Sequence, residues 1–204
     1  MLFPACKQWK TLACHTIFAL SISNMKTKQT IAVLGTINEV AAGVCKNIAA
    51  GNFRLVFPGT LNTPNDWIVT EIKNTHPLAD VESTVCTVDA CWESDIILAF
   101  LPFSKGENTL EKIRNVANQK VVICIPVQSS ESDFVNVHSN GENTGLQQLL
   151  PYCKVVVATP GFAGTKERIQ FTITGNNEEA IETAAELLES KSVFNTSTIE
   201  PVKI

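Results

Sequence analysis

The residues whose type and spacing could do chemistry follow the first short apolar run of the chain. Residues 30–34, Thr-Ile-Ala-Val-Leu, end at Gly35, and Thr36, Ile37, Asn38, Glu39 and Val40 lead into a segment rich in alanine and valine. A glycine between a strand and a helix lets the backbone turn tightly and approach a phosphate. The helix N-terminus adds unpaired N–H groups and a positive dipole. The spacing that cradles pyrophosphate is Gly-x-Gly-x-x-Gly, and of its glycines only the first, Gly35, is present. Ile37 stands where an absent side chain would make room for phosphate oxygens. Val40 replaces the glycine that would let helix and strand pack closely, and Glu39 adds negative charge to the same region. Gly35, Thr36, Ile37 and Asn38 are therefore the candidate phosphate-contacting residues of a loop expected to bind a dinucleotide weakly or in a displaced pose. The alternative is a plain turn on the same scaffold.

An acidic residue about twenty positions after the first glycine would bind ribose hydroxyls, and an arginine there would favour a 2′-phosphate. The corresponding segment, Phe57-Pro58-Gly59-Thr60-Leu61-Asn62, has neither. Thr60 and Asn62 are the candidate contacts to ribose or phosphate, and both serve equally as turn residues. The histidines, His15, His76 and His138, do not pair with cysteine or carboxylate at ligand spacing, so they read as structural or surface residues and no metal site is expected. The seven cysteines contain no Cys-x-x-Cys pair, which argues against structural zinc and thioredoxin-like chemistry and suits a reducing, cytoplasmic compartment. Cys45 and Cys124 lie in apolar segments and read as small buried hydrophobes, while Cys86 and Cys91 read as packing.

The elements that must position the loop alternate along the chain. Strands are expected at 30–34, 54–57, 83–87, 95–101, 121–125 and 155–159, two of them closed by Pro102 and Pro126. Helices are expected at 38–50, 108–118 and 146–150, with a single turn at 89–93. Another helix, running to about residue 74, should be capped by Thr63 with Pro64 at its first position. After residue 160 the order changes: a strand at 169–174, a helix with a Glu-rich solvated face at 178–190, and a short strand at 193–196. Such alternation predicts an α/β fold, a doubly wound parallel Rossmann sheet with a C-terminal antiparallel strand and covering helix. The polar stretch 128–144, with Ser129, Ser130, Glu131 and Asp133, is long for a connection and reads as a solvated loop.

Bulk properties bound the rest. Hydrophobic residues at 45% and charged residues at 18% describe a globular chain. A net charge of −4, with no basic cluster, argues against a nucleic-acid partner. Lys7 and Lys10 precede an apolar run over 12–22 that is too short to span a bilayer and lacks a convincing cleavage site. Residues 1–24 thus read as a non-native extension before Met25 or as a targeting segment, residues 1–27 as lying outside the domain, and 28–204 as one NAD(P)-binding Rossmann-like domain.

Five segments carry a family resemblance: Ile-Ala-Val-Leu-Gly at 31–35, Ala-Ala-Gly at 49–51, Trp-Glu-Ser-Asp-Ile-Ile-Leu-Ala-Phe-Leu-Pro at 92–102, Lys-Val-Val-Ile at 120–123, and Leu-Leu-Pro at 149–151 before Lys-Val-Val. With Gly-Asn-Asn-Glu-Glu-Ala at 175–180, the chain over 28–204 resembles the deazaflavin coenzyme-dependent NADP oxidoreductase family. The resemblance implies NADP or NAD as cofactor, with Leu101, Pro102 and Phe103 lining the nicotinamide side. The family's Phe-Asn-Thr-type segment after the sixth strand is replaced by Thr159-Pro160-Gly161-Phe162-Ala163-Gly164, and its arginine after the second strand is missing. The reading is an NAD(P)-binding oxidoreductase-like protein acting on a small acceptor, with no catalytic acid or base identifiable. Its rivals are a non-catalytic protein that uses the cleft for nucleotide sensing or homodimer formation, and a Rossmann scaffold that binds another nucleotide or none.

Overall fold

Runs of β-branched residues bounded by Gly, Pro and Asn form the strands, and segments with apolar residues at three- and four-residue spacing form the helices that cover them. The computed structural model describes residues 27–59, 65–101, 107–127, 142–162 and 169–189. The expectations for 1–24, for Thr60, Asn62, Thr63, Pro64, Pro102 and Phe103, for 128–141 and for 193–196 lie outside these residues. The strands are β1 (Gln29–Gly35), β2 (Phe53–Pro58), β3 (Asp80–Thr84), β4 (Ile96–Leu101), β5 (Val121–Pro126), β6 (Lys154–Phe162) and β7 (Ile169–Gly175). They form one sheet in the order β3-β2-β1-β4-β5-β6-β7. All neighbours are parallel except β6 and β7, which pair antiparallel from Val156–Gly175 to Phe162–Ile169. The expected doubly wound sheet with its antiparallel final strand is therefore present.

The helices are α1 (Glu39–Ala49), α2 (Asp66–Thr75), α3 (Thr87–Glu93), α4 (Glu107–Ile113), α5 (Glu142–Leu149) and α6 (Glu178–Glu189). Alternate residues of each central strand point to opposite faces, so two cores form. Ile31, Val33, Leu98 and Phe100 face α1, α2 and α6. Ala32, Leu34, Ile97 and Ala99 face Cys91 of α3, Leu110 of α4 and Leu150 after α5. β4 is buried along its whole length because it is central and covered on both sides. α6 closes the first face over β7, as the sequence pattern led us to expect, with Ala180, Ile181, Ala184, Leu187 and Leu188 inward.

Several boundaries differ from the sequence reading. β3 spans Asp80–Thr84 rather than 83–87, because Thr87 already opens α3 and only Val81 of the strand is buried. Val85, apolar but beyond the last paired residue, is 55% exposed. α2 begins at Asp66 with Asn65 at its cap position, later than the sequence reading placed its start. The Asn65 amide instead donates to the Pro58 carbonyl at 2.7 Å, tying the helix start to the end of β2. α4 stops at Ile113, and α5 begins at Glu142, earlier than expected.

Candidate functional site

In this strand order the chain leaves β1 toward α1 on one face and leaves β4 toward α4 on the other. The carboxyl ends of β1 and β4 thus form the topological switch point, where open α/β sheets bind ligands. Gly35 sits there with φ +93°, and a Cβ on it would lie 1.9 Å from the Phe100 carbonyl oxygen. Glycine is required twice over, by the backbone conformation and by the contact with β4. The Thr36 N–H donates to the same Phe100 oxygen at 3.0 Å, pinning the turn to the neighbouring strand. This N–H is consequently spent inside the protein.

The next four residues define the anion-facing part. Asn38 caps α1: its Oδ1 accepts from the Ala41 N–H at 2.9 Å, and its carbonyl accepts from Ala42 at 2.8 Å. Asparagine is among the preferred N-cap residues because its short side chain reaches back to the first turn. Among the described residues, the N–H groups of Ile37, Asn38, Glu39 and Val40 carry no hydrogen bond. Helix geometry leaves such donors clustered at the N-terminus, and they fit an anionic group such as a pyrophosphate. Ile37 is half-buried and packs against the core under α1. Part of its side chain is therefore committed to protein, which corrects the expectation that it simply fills the phosphate space. Glu39 is exposed in the first turn, and its carboxylate opposes an anion there. The close approach of α1 to the sheet is made by Ala41, Ala42 and Cys45, so the glycine missing at Val40 is compensated by small neighbours.

Leu101 closes β4, is largely buried, and its carbonyl accepts from the Val127 N–H at 3.1 Å. Its side chain also comes near Gly35, 3.2 Å from where a Cβ would be. The structure thus brings together Gly35, Thr36, Ile37, Asn38 and Leu101 from the candidate set. Sequence reasoning missed the end of β2 and β3. Pro58 pairs with Thr84, the Gly59 N–H donates to the Thr84 carbonyl at 2.7 Å, and the Ser83 hydroxyl donates to Asp66 Oδ1. No local signal announces a contact between residues seventeen positions apart on different elements.

The first part of the segment that carried most of the family resemblance, residues 92–95, lies at the opposite end of the sheet. Asp95 accepts from the Thr30 N–H at 2.8 Å and donates its own N–H to the Thr30 carbonyl at 2.8 Å, clamping β4 to β1. Buried Ser94 donates to the Cys91 carbonyl at 3.0 Å. Lys120 Nζ donates to the Cys91 and Trp92 carbonyls, each at 2.6 Å, and so caps the end of α3. Burial lowers the pKa of that lysine, a shift opposed by Cys91 and Asp95. Arg54 lies at the start of β2 and pairs with Glu82, far from the position where an arginine would meet a ribose phosphate.

Four of the described cysteines are buried and held protonated. Burial pushes the Cys91 and Cys124 thiols up to about 12 and Cys153 to about 11, and raises Cys45 further. Cys153 donates to the Ala117 carbonyl at 3.1 Å, and Cys86 and Cys91 are both free. His76 follows α2, with its backbone N–H on the Ile72 carbonyl at 2.7 Å. Among the described residues no group of His, Cys, Asp and Glu is placed to hold a metal, and no helix is long and apolar enough to cross a membrane.

Solved structures share this arrangement. Glycerol-3-phosphate dehydrogenase from Coxiella burnetii matches with TM-score 0.60 at 11% identity over 83% of this chain and 53% of its own. A protein described as an F420-dependent NADP-reductase from Arthrobacter sp. FB24 matches with TM-score 0.56 at 16% identity over 81% and 83%. Pyrroline carboxylate reductase from Plasmodium falciparum, with NADP bound, matches with TM-score 0.57 at 11% identity over 84% and 58%. The fold is that of the NAD(P)-binding reductases and dehydrogenases. The expected likeness to deazaflavin-dependent NADP oxidoreductases is supported at the level of the fold and no finer. The chain spans little more than half the length of several of these enzymes, 52% for 3-hydroxyisobutyrate dehydrogenase from Mycobacterium tuberculosis. No protein-family model matches the sequence, and no curated protein sequence matches it significantly.

Proposed function

We propose that this chain binds a nicotinamide dinucleotide, NADP or NAD, across the carboxyl edge of its sheet, as a cytoplasmic oxidoreductase that moves a hydride between nicotinamide and a small acceptor. The observation that carries this reading is the switch-point junction: Gly35 at φ +93° against β4, followed by four unpaired N–H groups at the start of α1. In the proposal, Gly35, Ile37 and Asn38 take the pyrophosphate through backbone N–H groups and close approach. Thr36 contributes its side chain, because its N–H is already bonded. Thr60 and Asn62 take the ribose side, and Leu101, Pro102 and Phe103 the nicotinamide side. The bound cofactor supplies the hydride chemistry, and the protein supplies orientation and shielding. A homodimer belongs to the same proposal.

A second reading, a non-catalytic protein that senses a nucleotide or dimerises through the cleft, is favoured by one observation. Among the described residues, the carboxyl edge carries no histidine, lysine or tyrosine to relay a proton, and the buried cysteines are held protonated. Calorimetric titration with NADH and NADPH tests both. Micromolar binding of either supports a dinucleotide site, and no binding up to millimolar concentration refutes it. Turnover of bound NAD(P)H against a panel of imines, 2-oxo acids and deazaflavins then separates the enzyme from the sensor.

A further inference from the structure

We infer that the adenosine end of this cleft selects NAD(H) over NADP(H), with Asp66 as the residue that rejects a 2′-phosphate. The inference rests on the dinucleotide reading above. With pyrophosphate at the β1–α1 junction, the adenosine ribose reaches the end of β2, the next strand outward. Asp66 is held at that end by three links. The Asn65 amide bonds the Pro58 carbonyl at 2.7 Å, Pro58 pairs with Thr84, and the Ser83 hydroxyl donates to Asp66 Oδ1. The carboxylate is thereby fixed beside the last residues of β2 and β3 and is exposed to solvent. Asp89, exposed in the first turn of α3, adds a second negative charge beyond the end of β3.

Among the described residues no cation is paired with Asp66 or Asp89. Arg54 is four residues before Pro58, about 13 Å away along the strand, and is paired with Glu82. Lys46 is paired with Glu71 at 2.6 Å, and Lys73 lies in the last turn of α2. Over residues 55–104 the sequence has Lys73 as its only lysine or arginine, against Asp66, Glu71, Asp80, Glu82, Asp89, Glu93 and Asp95. A phosphate monoester carries between about −1.5 and −2 charges at neutral pH, so a 2′-phosphate meets repulsion where a ribose hydroxyl meets a hydrogen-bond acceptor.

The test is calorimetric titration of the full chain with ADP-ribose and with 2′-phospho-ADP-ribose, which isolate the adenosine half, followed by NADH and NADPH. At low ionic strength the unphosphorylated ligand binds more tightly by roughly tenfold, as expected for like charges a few ångströms apart near the surface. Added salt narrows the ratio, since the groups are exposed. Asp66→Asn keeps an acceptor for Ser83 and brings the two ligands to within about twofold of each other, because the removed charge is the main source of the difference. Equal or tighter binding of the 2′-phosphorylated ligands overturns the inference and leaves the dinucleotide site standing. A ratio unmoved by Asp66→Asn, in a variant whose circular dichroism matches the parent, also overturns it, as does a wild-type ratio insensitive to salt. Binding of none of the four ligands overturns the dinucleotide reading and this inference with it.

Discussion

Replacing Gly35 with alanine places a methyl group 1.9 Å from the Phe100 carbonyl oxygen and 2.7 Å from its carbonyl carbon. Both contacts are backbone of the buried central strand β4, which cannot swing aside as a flexible side chain would. The φ of +93° adds conformational strain of about 1–3 kcal/mol for a residue with a Cβ. Relieving the overlap means separating β1 from β4, with loss of the Thr36–Phe100 hydrogen bond worth about 1 kcal/mol and disturbance of packing worth about 1–3 kcal/mol. The expected cost is therefore about 3–7 kcal/mol, a large part of a typical domain's stability. In urea, with a slope of about 2 kcal/mol/M, the unfolding midpoint should fall by roughly 2 M. Gly43→Ala is the matched control: nothing lies within 4 Å of its Cβ, and it sits in α1. That change should raise stability by about 1 kcal/mol through helix propensity. A Gly35→Ala midpoint within about 0.5 M of the parent, with Gly43→Ala shifting as expected, would refute the argument that the β1–β4 approach demands glycine.

Three further outcomes follow from the same geometry. Glu39→Gln should tighten dinucleotide binding by roughly fivefold, since a first-turn charge is worth about 1 kcal/mol, and Ile37→Gly should cost about 1–2 kcal/mol of stability as its half-buried side chain leaves the core; calorimetry showing flat affinity in the double variant would mean that this loop is not what limits binding. The four buried thiols, Cys45, Cys91, Cys124 and Cys153, should resist Ellman's reagent near neutral pH in the folded chain and react in denaturant. Because these thiols ionise at higher pH when folded than in the unfolded chain, where they titrate near about 8.5, the folded state binds more protons above that pH, and denaturation curves should show stability falling as pH rises toward 11 and 12. Lys120→Met should lower stability by about 1–2 kcal/mol by uncapping the end of α3, seen as a drop in Tm; an unchanged Tm would show that the Cys91 and Trp92 carbonyls are satisfied by solvent.

The fold was legible in the sequence because its signals are local. Apolar runs such as 31–34 and 96–101 are short, β-branched and bounded by Gly or Pro, and α6 shows its buried stripe at helical spacing. Gly35 announced a strand-to-helix turn, whereas the capping role of Asn38 appeared only in the structure. Where local signals conflict, the sequence reading slipped: Val85 is apolar but lies beyond the β2–β3 pairing, and only the neighbouring strand decides where β3 ends. The meaning of individual residues was set by tertiary contact. That Gly35 is needed against Phe100, that the Thr36 N–H is consumed by β4, and that Ile37 packs against the core all depend on a strand more than sixty residues away or on the helices around it. Likewise, Ser94 and Asp95 look like part of a reductase motif in sequence, yet in the fold they bind Cys91 and Thr30 at the end remote from the cleft. Asp66 reads as an ordinary first-turn acid until Ser83 and the Asn65–Pro58 bond fix it beside the ends of β2 and β3. Backbone propensity acts over a few residues and can be read along the chain, whereas charge and hydrogen bonding at a site act through space and become readable only once the sheet has brought its strands side by side.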